Sequence, residues 1–137
     1  GEVLGSFTST PWRVTNEFYG SGVSFLWRMR GTRAAVCASA ADQAKLESEI
    51  DVYKWTGEND MVQTCSHTRL AIGGGHDVVF DSKGRINDIE PGGESSGFGL
   101  ALDSDLLYCT SSPCATYANP CLSRNGQIFE VANVEAW

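Results

Sequence analysis

The sequence contains few of the features that identify membrane, nucleic-acid-binding or secreted proteins. No apolar run approaches the roughly 18 residues that a membrane-spanning helix needs. The 17 acidic residues outnumber the 10 basic ones, and the net charge of −7 disfavours binding to nucleic acid or to an anionic membrane through charge. Arg28, Arg30 and Arg33 form the only local basic cluster, which we interpret as ordinary surface charge. Residues 1–7 lack the basic and apolar segments of a secretory signal peptide.

The cysteine content indicates reduced thiols. The chain has five cysteines, an odd number, and no secretory signal, so a disulfide framework is disfavoured and a cytoplasmic location is favoured. We therefore expect all five thiols to be free. They are Cys37, Cys65, Cys109, Cys114 and Cys121.

A zinc site is the alternative interpretation of these cysteines. Cys109, Cys114 and Cys121 are separated by four and six residues, and His67 or His76 could complete a set of four ligands. Structural zinc sites usually have cysteines separated by two to four residues, and neither histidine belongs to a paired histidine motif. We therefore predict no metal site and no cofactor.

Short strand-like segments separated by turn residues dominate the chain. In residues 50–55, Ile50, Val52 and Lys54 alternate with Asp51, Tyr53 and Trp55, as in a half-buried strand. The other predicted strands are residues 1–7, 24–30, 61–65, 69–72, a hairpin over 97–106, and a terminal strand with one irregularity over 129–137. Helix is limited to one turn over residues 41–49. The pattern predicts one domain of antiparallel β-sandwich type.

The same alternation predicts the core. Large apolar side chains at alternating strand positions should be buried, and Trp55, just before a tight turn, is the strongest candidate. The predicted core is Phe7, Phe25, Trp27, Trp55, Ile72, Phe98, Leu100, Leu102 and Phe129.

The run Gly73-Gly74-Gly75 raises the possibility of a phosphate-binding loop. No Gly-Lys-Ser/Thr and no helix pattern follow it, and Asp77 would repel an anion. We interpret the run as a flexible strand exit. Residues 76–96 then form a polar surface excursion with one extra hairpin through residues 78–80.

The sequence contains few nucleophilic residues that lie close to a histidine. Cys65 and Ser66 precede His67, but the turn predicted at 66–68 would separate the thiol from the imidazole. The dipeptide His76-Asp77 lies in a predicted loop, and Glu135 is interpreted as a surface or hydrogen-bonding carboxylate. We therefore predict no catalytic residue, and we regard a redox-active enzyme as a minor alternative.

Several segments, taken in order along the chain, resemble the TLDc domain. The most distinctive are Tyr53-Lys54-Trp55-Thr56-Gly57 and Leu102-Asp103-Ser104-Asp105-Leu106. The complete set is residues 5–7, 11–12, 18–22, 24–26, 53–59, 70–75, 97–100, 102–106, 114–117, 119–120 and 134–137. Each piece alone is weak, but the ordered combination is specific and covers essentially the whole chain.

The resemblance implies a mainly β fold with some α, an antiparallel β-sandwich flanked by short helices. It also implies a non-enzymatic protein-interaction module, linked to oxidative-stress protection or to regulation of the vacuolar-type proton pump, whose subunits would be the partners. A structural role in a large cytoskeletal or ciliary assembly is the alternative. The expected location is cytoplasmic, at organelle membranes or cilia only through partners.

The sequence also departs from the family pattern. Family members usually have a helix and one or more strands before the position of Gly5, so we expect residues 1–137 to be a domain without its N-terminal elements, within a longer protein. Such a domain would have an unpaired strand edge and would self-associate when expressed alone. The loops 31–49 and 76–96 are long, Cys109 replaces a common Gly, and Tyr117 replaces a common Phe.

Overall fold

The computed structural model describes residues 2–30, 40–41, 49–75, 78–86 and 97–137, and these form two antiparallel sheets. The strands are β1 (Leu4–Thr8), β2 (Thr15–Tyr19), β3 (Ser24–Met29), β4 (Ile50–Lys54), β5 (Gln63–Cys65), β6 (Arg69–Ile72), β7 (Leu100–Asp103), β8 (Tyr108–Thr110) and β9 (Ile128–Glu130). The predicted antiparallel β-fold is confirmed. Helix is described only at Ala40 and Ala41, so the flanking helices are not confirmed. The turn predicted over 41–49 lies largely outside the described residues.

The smaller sheet has the strand order β1-β3-β4, and the larger sheet has the order β2-β5-β6-β7-β8-β9. In the smaller sheet Leu26 lies opposite both Ser6 and Tyr53, so these three side chains share one face. In the larger sheet, a hairpin is present where one was predicted over 97–106, but its second strand, β8, begins only at Tyr108. No described helix is long and apolar enough to cross a membrane.

The main core lies between the two sheets. Leu26 from β3 and Ile72 from β6 are fully buried and pack with Cys114, Tyr117 and Leu122, which belong to the irregular segment 111–123. The strand residues Leu4, Tyr53 and Leu100 pack against this cluster. A second cluster contains Ala71, Val78, Ile86, Phe98 and Ala101.

The predicted burial of two core residues is wrong. Phe7 is 46% exposed and Trp55 is 37% exposed. Phe7 lies on the face of the smaller sheet that points away from the core, and the Trp55 indole covers Gly22 while its Nε1 donates to the Asn59 carbonyl at 2.8 Å. Ile72 and Phe98 are buried as predicted. The other predicted residues are partly buried: Phe25, Trp27, Leu100, Leu102 and Phe129.

Three further details differ from the sequence predictions. Strand β2 was not predicted. The terminal strand is shorter than expected, since it covers only Ile128–Glu130 and the residues after Glu130 are irregular. The segment at Gly73 and Gly74, predicted to be a flexible end of a strand, is instead buried.

The predicted extra hairpin agrees with the structure, in which a short bridge joins Phe80 and Ile86.

Candidate functional site

The glycine run is a packing element. The Gly73 amide donates to the Val62 carbonyl at 3.0 Å, and the Gly74 amide donates to Thr116 Oγ1 at 2.9 Å. Both amides are therefore used inside the protein and could not cradle a phosphate. Thr116 is fully buried, and its Oγ1 lies 2.7 Å from Asn59 Oδ1. The run thus joins the segment 111–123 to the β4–β5 connection.

Tyr117 connects the two sheets through hydrogen bonds. Its hydroxyl lies 2.9 Å from Ser24 Oγ on β3 and donates to the Val62 carbonyl, next to β5, at 3.3 Å. Burial raises the pKa of this phenol, which keeps it protonated and able to donate. The strand pattern could not predict Tyr117 as a core residue because it lies in an irregular segment.

The candidate nucleophile Cys65 is not activated. Its Sγ donates to the Ser66 carbonyl at 3.6 Å, and burial raises the pKa of the thiol, opposite to what a reactive thiolate requires. His67 is exposed in the turn after β5, as predicted. Ser66 Oγ is held by Thr68 Oγ1 at 3.1 Å. The pair His76 and Asp77 lies outside the described residues.

The three clustered cysteines are dispersed in space. Cys114 Sγ donates to Asn119 Oδ1 at 3.0 Å, and Cys121 Sγ donates to the Ser123 carbonyl at 3.3 Å. Cys109 lies on β8, where burial and, secondarily, the negative charge of Asp103 raise its pKa to about 11. Within the described residues, no three His, Cys, Asp or Glu side chains are grouped to hold a metal ion. The four described cysteines are thiols, and Cys37 lies outside the described residues.

Two arginines of the basic cluster share one carboxylate. Arg30 Nε lies 2.8 Å from Asp51 Oδ1, and Arg28 Nε lies 3.4 Å from Asp51 Oδ2. The hydrogen bond from Arg30 lowers the pKa of Asp51. Arg33 lies outside the described residues. At the other end of the chain, Glu135 accepts a hydrogen bond from the Asn133 amide at 3.4 Å, as expected for a surface carboxylate.

The feature best suited to function by contact is the solvent-facing side of the smaller sheet. We call it the outer apolar face: Phe7, Phe25, Trp27, Met29, Ile50 and Val52. Facing strand positions bring these side chains together, since Trp27 lies opposite Val52 and Met29 lies opposite Ile50.

The outer apolar face is open to solvent. The Phe7 and Phe25 rings stack with centroids 5.3 Å apart, and Ile50 and Val52 are each exposed by more than two-fifths. Monomeric soluble domains rarely leave a contiguous apolar surface of this kind without a use for it.

Fold and surface define a two-sheet antiparallel β-domain that presents apolar side chains to solvent and in which burial raises the pKa of the Cys65, Cys109 and Cys114 thiols. The TLDc domain family matches the chain over residues 1–137, and the chain belongs to that family. The resemblance that the ordered segments indicated is therefore confirmed.

The relatives are much longer proteins. The chain is 28% identical over 137 residues to Oxidation resistance protein 1 of Rattus norvegicus and to that of Homo sapiens, with all of the chain and 12% and 11% of those proteins covered. It is 26% identical over 136 residues to Nuclear receptor coactivator 7 of Homo sapiens, with 99% of the chain and 10% of that protein covered. The chain thus spans about a tenth of the length of these relatives.

Proposed function

We propose that this domain is a protein-interaction module that acts in protection from oxidative stress. The observation that carries the proposal is the outer apolar face, on which stacked aromatic rings and two exposed aliphatic side chains share one side of the sheet. Burying such a surface against another protein is favourable by about 25 cal/mol per Å² of apolar area. The link to oxidative stress is supported by the relatives named Oxidation resistance protein 1.

The thiols support binding over redox chemistry. A redox-reactive cysteine is exposed and has a lowered pKa. Burial instead raises the pKa of Cys65, Cys109 and Cys114, and the Cys114 thiol is engaged by Asn119. Free thiols at the described cysteines fit a domain that works in the reducing cytoplasm.

We further propose that the partner is the vacuolar-type proton pump and that binding regulates it. Family resemblance supports this partner. The acidic surface of the domain, with a net charge of −7, would favour a basic region of the pump, because opposite charges accelerate encounter.

Binding to the isolated soluble sector of a vacuolar-type proton pump tests the proposal. The purified 137-residue chain should bind saturably in biolayer interferometry and should change the ATPase rate of the pump in the same concentration range. Binding should weaken as salt is raised, since charge steers the encounter. Absence of saturable binding at low salt would contradict the pump assignment.

A further inference from the structure

The turn between β7 and β8 presents two leucines to solvent. Leu106 is 51% exposed, Leu107 is 59% exposed, and Tyr108, which follows them, is 41% exposed. We call Asp105, Leu106, Leu107 and Tyr108 the hairpin tip. Three exposed apolar side chains in succession form a continuous apolar surface outside the core, and contiguous surfaces of this kind often mark interaction sites.

Leu106 also has an unfavourable backbone conformation. Its φ is 59°, in the left-handed region that glycine and asparagine adopt readily and that branched side chains avoid. The Leu106 amide donates to the Asp103 carbonyl at 3.0 Å, which places this residue at the position of the turn where glycine is usual. A strained residue persists where the surrounding structure over-determines it, and such residues cluster at functional sites.

The base of the hairpin is rigid. Asp103 lies 3.6 Å from Arg69, and both side chains are only 10% exposed. The Ser104 amide donates to the Thr68 carbonyl at 2.9 Å, and the Val131 amide donates to the Leu107 carbonyl at 2.8 Å. The turn is therefore tied to β6 and to the segment after β9, so the tip is pre-organised for contact.

Charge selects the kind of partner. Asp105 is exposed at one side of the tip, and Glu130, exposed on β9, lies directly opposite Tyr108. The leucines are thus bordered by two carboxylates, and this border disfavours an anionic lipid surface and favours a protein with an apolar pocket rimmed by Lys or Arg.

We propose that the hairpin tip is the contact surface for a basic-rimmed apolar pocket on the soluble sector of the vacuolar-type proton pump. This inference rests on the proposed function, because it assigns a surface to that interaction. Leu106 and Leu107 enter the pocket, and Asp105 and Glu130 pair with its rim.

Two substitutions separate a docking role from a structural role. Leu106→Asn keeps a residue that accepts positive φ and removes the apolar side chain, so the melting temperature should stay equal or rise. The same variant, and Leu107→Asn, should each bind the soluble sector about tenfold more weakly. Asp105→Asn keeps the Oδ1 atom that accepts the Leu107 amide at 3.1 Å but removes the charge, so it should slow association and reduce the salt dependence.

The matched control is Val23→Thr, in the exposed connection between β2 and β3. It should bind as the unmodified chain does. Binding by the leucine variants equal to that of the unmodified chain overturns the tip assignment while the proposed function stands. A large fall in the melting temperature of Leu106→Asn shows that Leu106 has a structural role and also overturns it. Failure of the unmodified chain to bind overturns the proposed function and this assignment with it.

Discussion

Two glycines of the chain share a backbone conformation but differ in their surroundings. Gly73 and Gly57 have φ of 77° and 80°, a region that other residues adopt at a penalty of roughly 1–2 kcal/mol. A Cβ on Gly73 would lie 2.8 Å from Cys114 Sγ and 2.9 Å from the Tyr117 ring, whereas a Cβ on Gly57 would have no neighbour within 4 Å. The effect of replacing each glycine on stability therefore depends on the neighbouring side chains as well as on backbone conformation.

Gly73→Ala should destabilise the domain by about 2–4 kcal/mol, because overpacking is added to backbone strain. Gly57→Ala should destabilise it by about 1 kcal/mol, from backbone strain alone. Urea unfolding of both variants measures the difference. Equal effects would mean that the neighbours of Gly73 move aside without penalty.

Cys109 makes stability depend on alkaline pH. Its pKa is raised to about 11 in the folded protein, so above the ordinary thiol pKa of 9.0 the unfolded chain releases a proton that the folded chain retains. The stabilising contribution is therefore fully present below pH 9.0 and is lost as the pH rises towards about 11. Its size is about 2–3 kcal/mol.

Cys109→Ala tests this dependence. Between pH 9 and pH 11, the free energy of unfolding should fall less steeply in this variant than in the unmodified chain. Chemical denaturation at a series of pH values gives both slopes. Identical slopes for Cys109→Ala and the unmodified chain would assign the pH dependence to other groups.

At the scale of elements, alternation and turn residues predicted six of the strands well. Residues 50–54 show why, since exposure alternates along β4 with the period of two that the sequence predicts, although the more exposed positions include Ile50 and Val52. Strand β2 was missed because Thr15–Tyr19 has no clear alternation, and it pairs irregularly with β5. The segment 111–123 was missed as core because its burial arises from packing between sheets, which no local pattern records.

The start of the chain and the loop before β9 are joined by one carboxylate. Glu2 Oε1 accepts the Arg124 amide at 2.6 Å, and Glu2 Oε2 accepts the Ser123 hydroxyl at 2.7 Å. Glu2→Ala should therefore raise the hydrogen-exchange rate of the Arg124 amide by about 10- to 100-fold, since bonds to a charged acceptor contribute about 1.5–3 kcal/mol. Glu58→Ala, in an exposed turn, is the control. Unchanged exchange at Arg124 in Glu2→Ala would show that the loop is held by other contacts.

At the scale of the whole molecule, the sequence predicted the fold class and the family but not the surfaces. The segments that resemble the TLDc domain could be recognised because each one is determined by local structure, such as the turn after Lys54. The outer apolar face could not be predicted, because Phe7 and Leu26 are both apolar strand residues and only the packing of the second sheet decides which one is buried. The predicted core failed at Phe7 for this reason.

The outer apolar face should also govern how the free domain behaves in solution. Near pH 4.7, the sequence isoelectric point, the repulsion due to net charge vanishes and the exposed apolar side chains can associate. Self-association measured by sedimentation velocity should therefore rise from pH 7 towards pH 4.7. Val52→Thr keeps the shape and the strand preference of Val52 but places a hydroxyl beside Trp27 on this face, so it should reduce self-association several-fold.

Val23→Thr is the matched control for this effect. Val23 is 66% exposed, more than Val52, but it lies in the connection between β2 and β3 and not on a strand of the smaller sheet. If total apolar exposure governed association, Val23→Thr would reduce it at least as much as Val52→Thr. If a contiguous surface governs association, Val52→Thr should have the larger effect. Val52 lies opposite Trp27, so its side chain would be buried when two such faces associate. Equal reduction by both variants would therefore reject the face as the associating surface.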